Sequence, residues 1–339
     1  MSRILVLKAG LFTTVQDLGR PGWQRHGVTP GGAVDAWALR LANLLVGNAE
    51  GAAGLEITLH GPTLRFAADA LVAVTGADFE VTAGGRSLPA WRPVHLVPGA
   101  ELVFGAARAG CRAYLAVAGG FAVPRVLGGR GTHLAAGFGG LDGRILRGGD
   151  VLKNGPPSVW ARRLATALGG PDKLAAARWE ISAEARPPAV ASPEVRVVRG
   201  PQWEWFSAEG RERFLRERFT VTARSDRMGL RLAPTGPGLI GPAPDGAPGP
   251  EMISEGVATG TVQVPPDGQP IVLLADRQTI GGYPKIANVA TIDLSLLAQA
   301  RAGDTIGFRE VSVAEAQQLW LAAERQIATL KHGIALHTA

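Results

Sequence analysis

Cysteine is nearly missing from this chain: Cys111 is the only one in 339 residues. No disulfide can form within it, and a reducing compartment is the expectation. Cys111 stands in Ala109-Gly110-Cys111-Arg112-Ala113, just before the apolar stretch Tyr114 to Ala118, where a buried, inert thiol is expected. Aromatic residues make up only 6%, and no run of five basic residues occurs, so a net charge of +6 gives little support to nucleic-acid binding. The same excess suits an anionic small substrate or an acidic protein partner. The N-terminal apolar run, Ile4 to Leu7, is broken by Lys8 and is too short for a signal peptide or a membrane span, so a cytoplasmic protein is expected. The histidines (His26, His60, His95, His133, His332 and His337) lack metal-ligand spacing, and no metal is expected. A phosphate-cradling GxxxxGK[ST] loop, a GxGxxG after a strand and a Met-Lys-Met biotin attachment motif are also missing.

Glycine and proline are abundant instead, 46 and 24 residues spread without a period, which predicts many short strands joined by tight turns. A strand at Ile4–Val6 leads into a turn-rich polar segment, Thr13 to Gly22. A helix is expected over about Ala33–Val46, with Asp35 at its first turn and Gly47-Asn48 as its stop. Short strands follow at Leu55–Leu59, Leu71–Val74, Phe79–Val81, Val94–Val97, Glu101–Phe104 and Tyr114–Val117, a spacing that suggests an antiparallel barrel or sandwich. Residues 156–194 read as a linker with a short basic helix beginning at Ser158, and a second globular segment starts near Val195. Ser312 with Glu315 opens a terminal helix whose apolar residues recur from Val313 to Leu330. The division expected is 1–155, 156–194, 195–311 and 312–339.

Three pairs of segments keep the same order in both halves, which suggests a duplicated β-rich unit. Val15 to Arg20 pairs with Arg224 to Gly229, Val74 to Asp78 with Leu273 to Asp276, and Pro98 to Gly105 with Ala302 to Phe308.

Polar groups concentrate in three places. In the first, Gln16-Asp17-Leu18-Gly19-Arg20 precedes Arg25-His26-Gly27, and Asp17 and His26 are suited to proton handling. For Asp17, Arg20 and Asp35 a turn clamp and a helix cap are equally natural. The second is Arg224-Ser225-Asp226-Arg227-Met228-Gly229, where a turn-fixing ion pair is the plain alternative. The third follows the apolar run Pro270–Leu274: Asp276, Arg277, Gln278, Thr279, Tyr283 and Lys285 crowd a strand-to-loop junction. Gln263, alternating with Val262 and Val264, places an amide opposite the core face, and Asp267-Gly268 marks a tight turn. Arginine clamps a carboxylate or phosphate with two donors, and lysine supplies a point charge. The Pro/Gly tract from Pro234 to Pro250 reads as a mobile loop able to cover the cleft.

These strings resemble the KipA family, also called allophanate hydrolase subunit 2 or the C subunit of the bacterial 5-oxoprolinase. The resemblance rests on Val15 to Arg20, Gly27 to Asp35, Asn43 to Asn48, Ser225 to Gly229, Gly260 to Pro270 and Asp276 to Lys285, over about residues 3 to 310. Ile280 departs from it, standing where a second threonine is common. Membership implies a mainly β fold of two tandem cyclophilin-like barrel halves with a few helices. It also implies a complex with a KipI-like B subunit and an A subunit, opening 5-oxoproline to glutamate with ATP, which the partner is able to bind. In that reading Asp276, Arg277 and Lys285 are the catalytic candidates, and Gln263, Gln278, Thr279, Tyr283, Asp226, Arg227, Asp17, Arg20 and His26 are substrate-binding candidates. Two alternatives remain open: a carboxyltransferase or allophanate-hydrolase type component served by biotin on a separate carrier, and a non-enzymatic regulator of a KipI-like kinase inhibitor.

Overall fold

A computed structural model describes residues 2–169, 174–187, 190–236, 238–239 and 252–337. The chain divides into two compact units: the first takes Met1–Arg20, Gly31–Ala189 and Arg325–Ala339, the second Pro21–Pro30 and Val190–Glu324.

Strands of the first unit are β1 (Arg3–Lys8), β2 (Phe12–Gln16), β3 (Gly54–Thr58), β4 (Thr63–Phe66), β5 (Ala70–Ala83), β6 (Arg86–Ser87), β7 (Val94–Leu96), β8 (Glu101–Val117), β9 (Val151–Lys153) and β10 (Leu174–Ala176). They form one sheet of order β10-β7-β5-β8-β4-β1-β9, with β3 also on β8, β2 on β3 and β6 on β5. Four strands expected separately merge into the long pair β5 and β8. Glycine misleads here, because inside these strands it makes bulges and not turns. Gly76 has φ 86°, lies where the β5–β8 register shifts, and leaves no room for a Cβ, which would fall 2.4 Å from the Arg112 carbonyl oxygen. The polar segment expected as a turn from Thr13 begins instead as β2, whose Thr13, Thr14 and Val15 pair with Ile57, Glu56 and Leu55.

Alternation along β5 builds two cores. Val72 and Val74 join Ile4, Phe66, Leu102, Phe104 and Leu115 on one face, while Leu71 and Ala73 join helix residues on the other. Those helices are α1 (Ala36–Leu45) and α2 (Val159–Leu168). The segment expected as a linker packs into this unit, with Leu164, Leu174, Ile181 and Ala185 buried. Asp35 caps α1 by accepting the Ala38 N–H at 3.0 Å. Behind it, buried Tyr114 accepts the Asp35 N–H at 2.8 Å and donates to Glu56 at 2.8 Å. Burial, and then the Glu56 charge, push the Tyr114 phenol well above its usual range.

The second unit contains α3 (Ala208–Arg216), α4 (Leu294–Ala298) and strands β11 (Glu194–Arg199), β12 (Arg218–Val221), β13 (Gly229–Pro234), β14 (Glu255–Gly256), β15 (Thr261–Gln263), β16 (Ile271–Leu273), β17 (Ile280–Gly281), β18 (Lys285–Val289) and β19 (Thr305–Glu310). Seven of these close a barrel in the order β11-β18-β15-β16-β13-β12-β19, and β14 and β17 form a separate two-stranded ribbon. All barrel pairings are antiparallel except β11 with β19, the seam between its first and last strands. Phe214 of α3 stacks on Phe308 with centroids 4.5 Å apart, and Phe219 packs on the same ring. The sequence gives no periodic sign of α3, because Phe214 and Gly210 are its only buried residues.

The last helix, α5 (Val313–Leu336), starts where Ser312 accepts the Glu315 N–H at 3.1 Å, and its Ile327 and Ile334 join the helix-side core of the first unit. Among the described residues no helix is long and apolar enough to cross a membrane. The Pro/Gly tract read as a loop lies, from residue 240 to 250, outside the described residues.

Candidate functional site

The second unit gathers most of the candidates on the strands and turns next to β16. Strand β16 stops at Leu273, and the chain turns through residues 274–279. Backbone bonds from Leu274 N–H to Met228 O and from Asp276 N–H to Arg227 O, each 2.9 Å, tie this turn to the one before β13. The Arg227 side chain completes the connection with a two-pronged bond to Asp276, Nε to Oδ2 at 2.8 Å and Nη2 to Oδ1 at 3.0 Å. Asp226 shapes its own turn by accepting the Met228 and Gly229 N–H groups at 2.8 and 3.2 Å.

Beside this turn a cavity of about 330 Å³ is lined by Arg224, Asp226, Arg231, Gln263, Gln278 and Tyr283, among others. Gln263 is 1% exposed although it is fully polar, and its amide is held at both ends. Its Oε1 accepts from Gln278 Nε2 at 3.1 Å, and its Nε2 donates to the Tyr283 carbonyl at 3.4 Å. A register shift between Val262 and Gln263 marks the departure from regular pairing. Gly281 makes room for that amide, since a Cβ there would lie 2.5 Å from Gln263 Nε2. Tyr283 stays half-exposed at the cavity, and Ile280 is exposed.

Lys285 is 3% exposed, and its ammonium reaches Glu255 of the ribbon at 2.6 Å. Gln202 connects both, donating to Glu255 at 3.1 Å and accepting the Lys285 N–H at 3.1 Å. The Lys285 ammonium, and then the Gln202 amide, hold the Glu255 carboxyl below its ordinary range. Thr279 is half-buried and anchors the ribbon through its carbonyl, which accepts the Val257 N–H at 3.1 Å.

Arg277 differs from its neighbours. It is 5% exposed, and its Nε and Nη1 are enclosed with no acceptor. Burial alone pushes its guanidinium below the usual arginine range.

Three candidates lie elsewhere. Asp17 and Arg20 belong to the first unit and fasten one of its loops. Asp17 accepts the backbone N–H groups of Gly19 at 2.8 Å, Arg130 at 2.5 Å and Gly131 at 3.1 Å. Arg20 donates to the Gly131 and Val126 carbonyls and lies over the Phe138 ring. His26, in the second unit, is exposed and accepts from Arg25 Nε at 3.0 Å.

Reading the sequence missed Gln202 and Glu255, which hold Lys285, and Arg231, which lines the cavity. Arg231 carries a signal that was available: between Leu230 and Leu232 it must point away from the barrel core. Glu255 and Gln202 are 30 and 83 residues from Lys285 and carry none. Among the described residues, no group of three His, Cys, Asp or Glu side chains is placed to hold a metal ion.

A mainly β protein with a closed seven-stranded barrel and a hydrogen-bonding cavity at that barrel is the class these features define. The chain belongs to the family of the carboxyltransferase domain, subdomains A and B, whose model matches residues 26–310. It is similar to the 5-oxoprolinase C subunit of Haemophilus influenzae, 37% identical over 306 residues covering 90% of each chain. With the 5-oxoprolinase C subunit of Escherichia coli it shares 38% identity over 315 residues, 92% of each. Among solved structures, Kluyveromyces lactis urea carboxylase superposes with a TM-score of 0.83 at 32% identity, over 98% of this chain and 29% of that one.

Proposed function

We propose that this chain is the C subunit of an ATP-dependent 5-oxoprolinase, working with a KipI-like B subunit and an A subunit. The observation that carries the reading is similarity at 37–38% identity, over 90–92% of each chain, to two bacterial 5-oxoprolinase C subunits. The cavity's chemistry supports it. A lactam presents one N–H donor and one carbonyl acceptor, and Gln278, Tyr283 and the Gln263 amide offer both kinds of partner in a cavity of about 330 Å³.

A lactam amide is a poor electrophile. Transfer of the ATP γ-phosphoryl group to the carbonyl oxygen creates a phosphate leaving group. Water then adds at that carbon and the C–N bond opens to leave an acyl phosphate, which a second water hydrolyses, so that 5-oxoproline, ATP and two waters give glutamate, ADP and phosphate. In this scheme Gln263, Gln278 and Tyr283 orient the lactam, and Arg277, whose Nε and Nη1 have no acceptor, is assigned to its acid group. Asp276 and Lys285 act through Arg227 and Glu255, holding the turn and the ribbon around the substrate. Asp226 and Thr279 hold backbone in the same frame, and Asp17 and Arg20 serve the first unit's loop. ATP enters with the partner proteins.

The test is reconstitution. The three proteins together convert 5-oxoproline to glutamate with matching ATP hydrolysis, and omission of this chain abolishes both. Failure of the full mixture to hydrolyse ATP in response to 5-oxoproline sinks the reading.

A second reading is carboxyl transfer from biotin on a separate carrier to a small amide. It is favoured by the likeness to urea carboxylase over 98% of this chain. Transfer from carboxybiotin by a mixture inactive on 5-oxoproline supports it over the first.

A further inference from the structure

Among the described residues, five cations stand on the strands and turns next to β16 in the second unit: Arg224, Arg227, Arg231, Arg277 and Lys285. Four carboxylates accompany them. Asp276 takes Arg227 and Glu255 takes Lys285, while Asp226 and Asp267 line the same cavity as Arg224 and Arg231. One positive charge is left over. It belongs to Arg277, the member of the group that is 95% removed from solvent and has Nε and Nη1 enclosed without an acceptor.

A buried cation with no counter-ion is among the costlier arrangements in a folded chain, and a folded protein tolerates it where an anion arrives from outside. A guanidinium presents a planar array of donors that fits the planar oxygens of a carboxylate. The count limits what that anion is. One uncompensated charge matches one carboxylate. A polyphosphate brings several negative charges, which Asp226 and Asp267 in the cavity oppose, while Arg227 and Lys285 are already paired with Asp276 and Glu255.

We propose that Arg277 is the receptor for the single carboxylate of a small monoanionic acid, and that this carboxylate, not a nucleotide phosphate, is the anion this unit takes up. Naming the acid as 5-oxoproline rests on the function proposed above; the carboxylate site does not.

The full-length chain, purified alone, is titrated with 5-oxoproline, with its uncharged analogue 2-pyrrolidinone, with acetate and with MgATP, following heat of binding and the thermal midpoint. 5-Oxoproline binds and raises the midpoint, 2-pyrrolidinone binds at least tenfold more weakly, and MgATP neither binds at Arg277 nor protects. Arg277→Met weakens 5-oxoproline binding at least tenfold yet leaves the midpoint of the free chain equal to or above wild type, because it removes an unmatched buried charge. Arg277→Lys keeps part of the binding. If acetate protects wild type but not Arg277→Met while 5-oxoproline does no better than acetate, the carboxylate site stands and the 5-oxoprolinase reading falls. The proposal is overturned if Arg277→Met melts earlier and binds the acids unchanged. It is equally overturned if no carboxylate binds the wild-type chain alone, or if MgATP binding is what Arg277→Met loses. Should Arg277→Met not fold, the ratio of 5-oxoproline to 2-pyrrolidinone affinity in wild type and Arg277→Lys decides: equal affinities reject the site.

Discussion

Asp17 spends its carboxylate on three backbone N–H groups, and Arg20 its guanidinium on two carbonyls of the same loop. Removing the acid strands those donors beneath the surface, at a cost of about 2–4 kcal/mol. Asp17→Ala therefore lowers urea-unfolding stability by that amount. Activity of the surviving folded fraction changes little, and a selective loss of turnover at unchanged stability would return Asp17 to the chemistry. Gly281→Ala gives the opposite pattern. Its φ is not in the left-handed region, so the backbone accepts alanine, but the new Cβ falls 2.5 Å from Gln263 Nε2 and displaces the cavity amide. Turnover in the reconstituted complex drops about tenfold or more while stability moves by ~1 kcal/mol or less. Both residues sit in strings that stand out in the sequence, and the strings alone do not separate them. Residue type and spacing mark Asp17-Leu18-Gly19-Arg20 and Asp226-Arg227 as alike; what differs is the partner, 113 residues away for the first and 49 for the second.

At the level of elements, the ribbon of β14 and β17 depends on Glu255, whose carboxyl bonds both Lys285 and Gln202. Its folded value lies below the ordinary 4.5, so the contribution is present above that pH and is lost as pH falls through the lower folded value. Glu255→Gln removes it. The difference in thermal midpoint between wild type and Glu255→Gln is expected to be largest near neutrality and to shrink towards zero as pH is lowered below 4.5, a range a pH series of melting curves covers. Because Glu255 is half-exposed, solvent screens the effect and keeps it small. A difference that grows on acidification would show that the pair does not hold the ribbon. Local elements were legible where pattern and cap agree, as at α1 with Asp35 and α5 with Ser312. They were illegible where one buried aromatic secures a helix, as in α3, or where glycine sits inside a strand, as at Gly76.

Across the whole molecule, the repeated strings mark positions whose structural fates diverge. Val74 to Asp78 continues through a bulge within β5 and leaves Asp78 exposed, whereas Leu273 to Asp276 ends β16 and turns, delivering Asp276 to Arg227. The polar turn with Arg277 thus occurs at one of the two related positions. The mainly β character was readable from glycine, proline and strand spacing; the division of the chain was less so. Residues 156–187 carry linker composition yet pack into the first unit, because Leu164, Ile181 and Ala185 find a core that lies far away in sequence. The proposed reaction needs three different proteins, so this chain alone is expected to show no 5-oxoproline-dependent ATP hydrolysis. Turnover by the isolated chain would refute that division of labour.

The barrel of the second unit closes where β11, its first strand, meets β19, its last. Glu194 therefore finds its neighbour Gly307 only after the 112 intervening residues have been made. At translation speeds of about 5–20 residues per second, the nascent sheet waits roughly 6–20 seconds with an open edge. Such an edge is a template for unwanted pairing with other chains. Ribosome stalling or truncation anywhere before Thr305 leaves it exposed for good, so premature termination products of this protein should be found in aggregates and with chaperones.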